Sequence, residues 1–327
     1  MKNQRNQNIT IFIFIKTLNC FTVKTISYLF VLVFFTSCLG DIEYYRNYSQ
    51  SDINIYLVKE GQITIHESDV DLNSLELERN PWLKNNEIEF YDWSSHTFYL
   101  NTEKEKKKYS GRHFVVVSGD ERLFIGVFFP MYMSSFPQMP SISPEDGLFY
   151  PKNVIHFGQL GYQFTGNIEE QNEFRKALIA SDLLREGIKV ELTHVKKKNQ
   201  TTIEYTFQVT NIDKENIYVL DPDKMGASRF HYLTNGVWLS KDNTSYFPNQ
   251  VNYSAFDKVP DIWYFNLHPG EKMTRTVELS NFASLPSGKV KCSFSFPGSN
   301  MKSGEWKKSD GRIWIGDYYA EKELMLE

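Results

Sequence analysis

The chain has 327 residues, enough for two ordinary domains and for a core that needs no metal or disulfide to hold it. At 41% hydrophobic, 23% charged and 15% aromatic, it is excluded from the disordered and collagen-like classes and suits strand-rich packing. The formal charge is −4, but the first 37 residues carry four basic and no acidic side chains, so the rest holds 32 basic against 40 acidic residues, a net of −8 that argues against nucleic acid or anionic lipid as the main partner.

Residues 26–35, ISYLFVLVFF, form an uncharged run too short for a bilayer span but suited to the apolar part of a secretion signal. Lys24 precedes it, and Thr36, Ser37 and Cys38 follow. An uncleaved signal anchor is the competing reading, helped by ITIFIFI at 9–15, although Lys16 and Lys24 interrupt the two runs. The stretch VFFTSCLG at 33–40 resembles the lipobox of bacterial lipoproteins, with Phe35 where Leu is commonest. That resemblance implies a signal peptide over 1–37, cleavage before Cys38 by signal peptidase II, and a lipid on Cys38. It also implies an envelope location, with Leu39 rather than Asp after the cysteine favouring the outer membrane. Read from Val23, the signal has the compact layout usual for lipoproteins, and translation from an alternative start codon at Val23 is the corresponding expectation. Residues 38–52 then serve as a lipidated tether, polar and rich in Tyr, Asn and Ser.

Beyond the tether, INIYLV and QITIH read as short strands around the turn Lys59-Glu60-Gly61. HTFYLN leads into the solvated charge run TEKEKKK, and HFVVV, a turn at 118–121 and RLFIGVFF make the clearest hairpin. After a Pro- and Ser-rich loop and the strand NVIHF, residues 166–187 predict a helix. Asn167 caps it, Glu169 and Glu170 favour its positive end, and Gly187 ends it, with Phe174, Ala177, Leu178 and Leu184 on one buried face. The order FVVVSGDERLF, PSI and FGQLGYQFTGNIEEQNEFRKALIASDLLREG, over 112–187, resembles the periplasmic first domain of the SecD translocase subunit. It implies a small sheet with a helix on one face and a role in binding polypeptide rather than catalysis.

After Gly187 the texture changes to strands alone. IKVELTHV, TIEYTFQVTN, NIYVL, FHYLTNGVWLS, MTRTVELS, KVKCSFSF and RIWIGDYYAEKELML have the number and spacing of a sandwich. The segment LHPGEKMTRTVELSNFASLPSGKVKCSFSF resembles bacterial immunoglobulin-like modules, in which an L-x-P-G-E turn launches a strand. Val290 occupies the place where Tyr is frequent, so no tyrosine corner is implied. The expected fold class is therefore α+β: a small mixed-sheet domain with one main helix over 53–187, followed by an all-β immunoglobulin-like sandwich over 188–327.

No G-x-S-x-G elbow, phosphate-cradling Gly-rich loop or H-E-x-x-H occurs. DVDLNSLELERN opens like a calcium loop with Asp69, Asp71 and Asn73, but Ser74 and Asn80 stand where Gly and Glu are required, so no metal site and no cofactor are expected. His66, Glu67 and Asp69, and the set Asp92, Ser94 and His96, hold catalytic residue types too close in sequence for a triad. Turn or cap roles suit Asp92 and Ser94 better, with Phe90, Tyr91, Trp93 and Phe98 in a core, and no catalytic residue is assigned. Two surfaces suit partners: the uncharged loop with Met131, Tyr132, Met133, Phe136 and Met139, and the aromatics Trp238, Tyr246 and Phe247, which would stack on a glycan. Cys292, on an alternating strand, reads as a small buried hydrophobe. The leading expectation is a lipid-anchored, non-catalytic binding or assembly component of a bacterial envelope, with an unknown envelope protein or glycan as partner. The alternative is a glycan-binding or glycan-processing accessory lipoprotein, and an enzyme using His66, Glu67 or His96 stands third.

Overall fold

Among the described residues, apolar side chains at every second position start the first strand, β1 (Ile53–Leu57), which buries Ile53, Ile55 and Leu57. The computed structural model describes residues 52–63, 70–130, 132–134, 137, 139–145, 150–158, 168–234, 236–249, 259–298 and 306–327. Ser51–Glu327 forms one compact unit, and its described residues are 48% strand and 13% helix, mostly β with several sheets and few helices. The strand expected at QITIH and the cluster His66, Glu67 and Asp69 fall largely or wholly outside the described residues.

Next come β2 (Ile88–Asp92), β3 (Thr97–Leu100), β4 (His113–Ser118), β5 (Glu121–Phe128), β6 (Ser141–Ile142), β7 (Val154–Gly158), helix α1 (Ile168–Ala180) and β8 (Leu184–Arg185). They form one eight-stranded sheet in the order β1-β4-β5-β6-β7-β3-β2-β8. The β4–β5 hairpin turns at Gly119, whose φ of 59° is open to glycine without a side-chain clash. β4 is buried along its whole length because both sheet faces are covered, which is why HFVVVS reads as a continuous apolar run rather than an alternating one. One face packs Val115, Val117, Ile125 and Val127 with Met139, and on the other Phe124 meets Phe174 of α1 at 5.1 Å between ring centres.

Helix α1 ends earlier than its sequence predicts. Asp182 adopts φ 57°, the Leu183 amide donates to Leu178 O (2.9 Å) and the Asp182 amide to Ile179 O (3.1 Å), a Schellman closure with Asp at the left-handed position. Leu183 takes the buried place after it, and Leu184 belongs to β8, paired parallel with Tyr91, rather than to the helix face. Phe174, Ala177 and Leu178 are buried as the helical spacing predicts.

The remaining elements are β9 (Ile188–Lys197), β10 (Ile203–Asn211), β11 (Asn216–Leu220), α2 (Pro222–Met225), α3 (Ala227–Thr234), β12 (Val237–Lys241), β13 (Thr244–Tyr246), β14 (Tyr264–Leu267), β15 (Lys272–Leu279), β16 (Gly288–Pro297), β17 (Lys307–Lys308), β18 (Gly311–Ile313) and β19 (Asp317–Leu326). They make three sheets, β15-β10-β9, β14-β11-β18-β17 and β13-β12-β16-β19, which share one core. Phe207 of β10 meets Phe294 of β16 at 5.0 Å, so the first and third of these sheets face each other across aromatic rings. FHYLTN, expected as strand, is mostly the α3 helix; its start behind Gly226 (φ 87°) lets Phe230 lie parallel to Phe207 at 5.8 Å. RIWIGDYYAEKELML, expected as one strand, divides at Gly316 (φ 121°) into β18 and β19, which belong to different sheets. Phe90, Tyr99 and Val154 of the large sheet also belong to this core, which is thus continuous across residue 187.

Candidate functional site

Asp92 and Ser94 do meet in space, but their hydrogen bonds make a joint rather than part of a triad. Ser94 Oγ donates to Asp92 Oδ1 (2.6 Å) and accepts from the Ile188 amide (3.0 Å) and Trp314 Nε1 (2.9 Å), so both its proton and its lone pairs are engaged. The Ser94 and Ser95 amides also donate to Asp92 Oδ1 (3.0 and 3.2 Å), closing the turn between β2 and β3. His96 turns away, with Nδ1 3.1 Å from the Tyr91 hydroxyl. Burial, together with the nearby His156, holds the His96 imidazole down to about 3, so it stays neutral across the physiological range. A nucleophilic serine needs a base on its proton, and here that proton faces a carboxylate fixed by two amides.

The same aspartate anchors a fully buried guanidinium. Arg312 of β18 donates through Nη2 to Asp92 Oδ2 (2.6 Å) and to Asp213 Oδ2 (2.8 Å), and it lies 4.9 Å over the Phe90 ring. Burial alone would favour loss of the Arg312 proton, but the Asp92 and Asp213 carboxylates outweigh it and raise the pKa further. Arg312 Nε and Nη1 have no hydrogen-bond partner among the described residues. Asp213 is placed by the turn after β10, where Asn211 Oδ1 accepts from the Asp213 amide (2.9 Å) and Asn211 Nδ2 donates to Glu215 O and Leu267 O. Gly187 sits against the joint at φ 77°, and a Cβ there would lie 2.1 Å from Ser94 Oγ. The cluster therefore ties β2, the β8–β9 junction, the β10–β11 turn and β18 together.

A different surface has the properties of a contact site. Along β16 the residues Val290, Cys292, Phe294 and Phe296 point into the core, so Lys289, Lys291, Ser293 and Ser295 belong to the outer face. Trp238 pairs opposite Ser293, and Ser293 opposite Glu321 of β19; Tyr319 lies opposite Ser295. Trp238 has Phe247 on one side, at 6.3 Å and 23° between ring planes, and Tyr319 on the other, at 5.7 Å and 34°. Phe247 is 60% exposed, whereas Ser293 is only 1% exposed beneath its neighbours. The Tyr319 hydroxyl bonds to Ser293 Oγ (2.9 Å) and to Glu321, and Lys291 Nζ meets Glu321 Oε1 at 2.6 Å. Partial burial opposes ionisation of Glu321, but Lys291 and Tyr319 outweigh it and hold its carboxyl below the usual range. Lys289 and Glu323 pair in the same way at 2.7 Å.

Of the aromatics expected to stack on a glycan, Trp238 and Phe247 share this face, while Tyr246 pairs opposite inward-facing Leu239 and packs against the core. Tyr319, Ser293 and Glu321 were not singled out from sequence, although the alternation in DYYAEKE places Tyr319 and Glu321 on one side of a strand. In the Met-rich loop, Tyr132 is 80% exposed, Met133 packs against the core, Met139 is 2% exposed within it, and Met131 and Phe136 lie outside the described residues. Asp71 caps a short turn through the Asn73 amide (3.0 Å). Cys292 is fully buried, which pushes its thiol up to about 12. Among the described residues no group of three or more His, Cys, Asp or Glu side chains could hold a metal ion, and no helix is long and apolar enough to cross a membrane. Compared with known proteins, the chain matches no family model and no curated protein.

Proposed function

We propose that the chain is a lipid-anchored binding component of a bacterial cell envelope, tethered through Cys38 and engaging its partner with the outer face of β13-β12-β16-β19. One observation carries this reading: an exposed Phe247 stacks beside Trp238, which Tyr319 meets at a tilt, over a sheet whose other side is locked into the core. Solvent-facing aromatics on a rigid support supply contact area at little conformational cost, the property that enriches Tyr and Trp in binding surfaces. The uncharged run ahead of Cys38 supports the envelope address, and the facing of β15-β10-β9 and β13-β12-β16-β19 supports a β-rich sandwich as the part that presents the face.

Co-sedimentation of the full-length protein with isolated bacterial envelopes, both the wild-type face and Phe247→Ala being carried on a Cys38→Ala background so that no lipid pellets them, tests the binding role. The wild-type face pellets with the envelopes, and Phe247→Ala, at an exposed position that leaves the core intact, stays largely in the supernatant. Equal pelleting of the two proteins would remove this face from the reading.

A further inference from the structure

We infer that the ligand of this face is a neutral glycan, held against Trp238, Phe247 and Tyr319 and hydrogen-bonded by Glu321 and Lys291, with buried Ser293 bracing Glu321 and Tyr319 from beneath. The inference rests on the reading of this face as the contact surface, and it adds the chemical class of what is contacted.

Charge narrows the class first. Both outward carboxylates beside the rings are already paired, Glu321 with Lys291 at 2.6 Å and Glu323 with Lys289 at 2.7 Å. A polyanion needs cations free to replace its counterions, and a cationic ligand needs an uncommitted carboxylate; this strip offers a balanced set instead. A protein partner fits less well, since interface centres are depleted of charged residues, whereas here an ion pair adjoins the ring cluster. A pyranose matches both parts. Its C–H faces are apolar and weakly positive, complementary to the negative face of an aromatic ring, and its hydroxyl edge needs donors and acceptors side by side. Lys291 and Glu321 supply these from β16 and β19, the next two strands beyond that of Trp238, held in place by Ser293 and Tyr319, with the ion pair strengthening the hydrogen bonds it makes.

Affinity electrophoresis of the solubilised full-length protein tests this. The gels contain hydroxyethyl cellulose, soluble starch, galactomannan or laminarin as neutral probes, and alginate as an anionic one. Wild type is retarded by at least one neutral polymer, the retardation survives about 0.5 M NaCl because no ionic term drives it, and both Trp238→Ala and Phe247→Ala weaken it about tenfold or more. Tyr132→Ala, on the separate exposed loop, leaves it unchanged. Retardation by no neutral polymer, by alginate alone with loss in salt, or undiminished in both ring variants overturns the assignment. The envelope co-sedimentation separates the two claims: if Phe247→Ala still abolishes pelleting while no neutral gel retards the wild type, the contact face stands and the glycan falls. If pelleting ignores Phe247→Ala, the contact face itself falls.

Discussion

Replacing Arg312 with Met keeps an apolar stem of similar length and removes the guanidinium that two buried aspartates share. Arg312 and Asp92 are fully buried and Asp213 is 8% exposed, so the substitution leaves two carboxylates in the interior without their cation. Asp92 Oδ1 keeps its bonds from Ser94 and Ser95, but Asp92 Oδ2 and Asp213 Oδ2 lose the one side-chain donor they have among the described residues. Breaking a buried ion pair from one side costs about 3–5 kcal/mol, a large share of a typical total of about 5–15 kcal/mol. The corresponding drop in melting temperature is roughly 6–20 °C for a unit of this size. Equilibrium unfolding in urea, compared at unchanged slope, and scanning calorimetry both read it. Adding Asp92→Asn and Asp213→Asn to Arg312→Met neutralises the orphaned pair and recovers at least about 2 kcal/mol, a non-additivity expected of groups in one network. A loss below about 0.5 kcal/mol for Arg312→Met, the range of ordinary surface substitutions, would refute the joint.

His96 gives a pH dependence of defined sign. Its folded-state pKa is depressed to about 3 against an ordinary 6.5, so its contribution is complete above pH 6.5 and is lost as the pH falls towards 3, at up to about 1.4 kcal/mol per pH unit while only the unfolded chain binds the proton. His96→Asn, which suits the φ of 50° at this position, reduces that slope by about one proton in unfolding experiments run from pH 7 to pH 4. Gly187→Ala forces a Cβ against Ser94 Oγ and is expected to destabilise by at least about 3 kcal/mol, whereas Gly270→Ala, also at positive φ but with nothing within 4 Å, loses about 1 kcal/mol; the pair of melting curves separates crowding from backbone strain. Metabolic palmitate labels the wild-type chain and not Cys38→Ala, and equal labelling of the two would remove the lipid from Cys38.

The β4–β5 hairpin was legible because its strand residues, turn and apolar run all point to the same local structure. The end of α1 was not: Gly187 is the obvious terminator by residue type, yet Asp182 takes the left-handed position five residues earlier, and Gly187 is needed for its missing Cβ against Ser94. FHYLTN was misread because its apolar residues fit either period over so short a run, and packing of Phe230 on Phe207 decides for helix. RIWIGDYY reads as one strand because its break depends on a contact far away in sequence, the Gly298 amide donating to Gly316 O. The candidate face was half visible for the same reason. Trp238 and Phe247 are neighbours in sequence, whereas Tyr319 joins them only through the pairing of β12 with β16 and of β16 with β19. Asp92 and Ser94 suggested a turn from sequence, but their partners, Arg312 on β18 and Trp314 just after it, reach them only in the folded chain.

Hydroxyl-radical footprinting of the full-length protein, with and without isolated envelopes, reads the proposed contact side chains directly. Oxidation at Trp238, Phe247 and Tyr319 is expected to fall when envelopes are present, while Tyr132 and Ile262, 80% and 77% exposed on other parts of the molecule, keep their rates. Unchanged oxidation of the three rings, or protection at Tyr132 or Ile262 in their place, would contradict binding through the outer face of β13-β12-β16-β19.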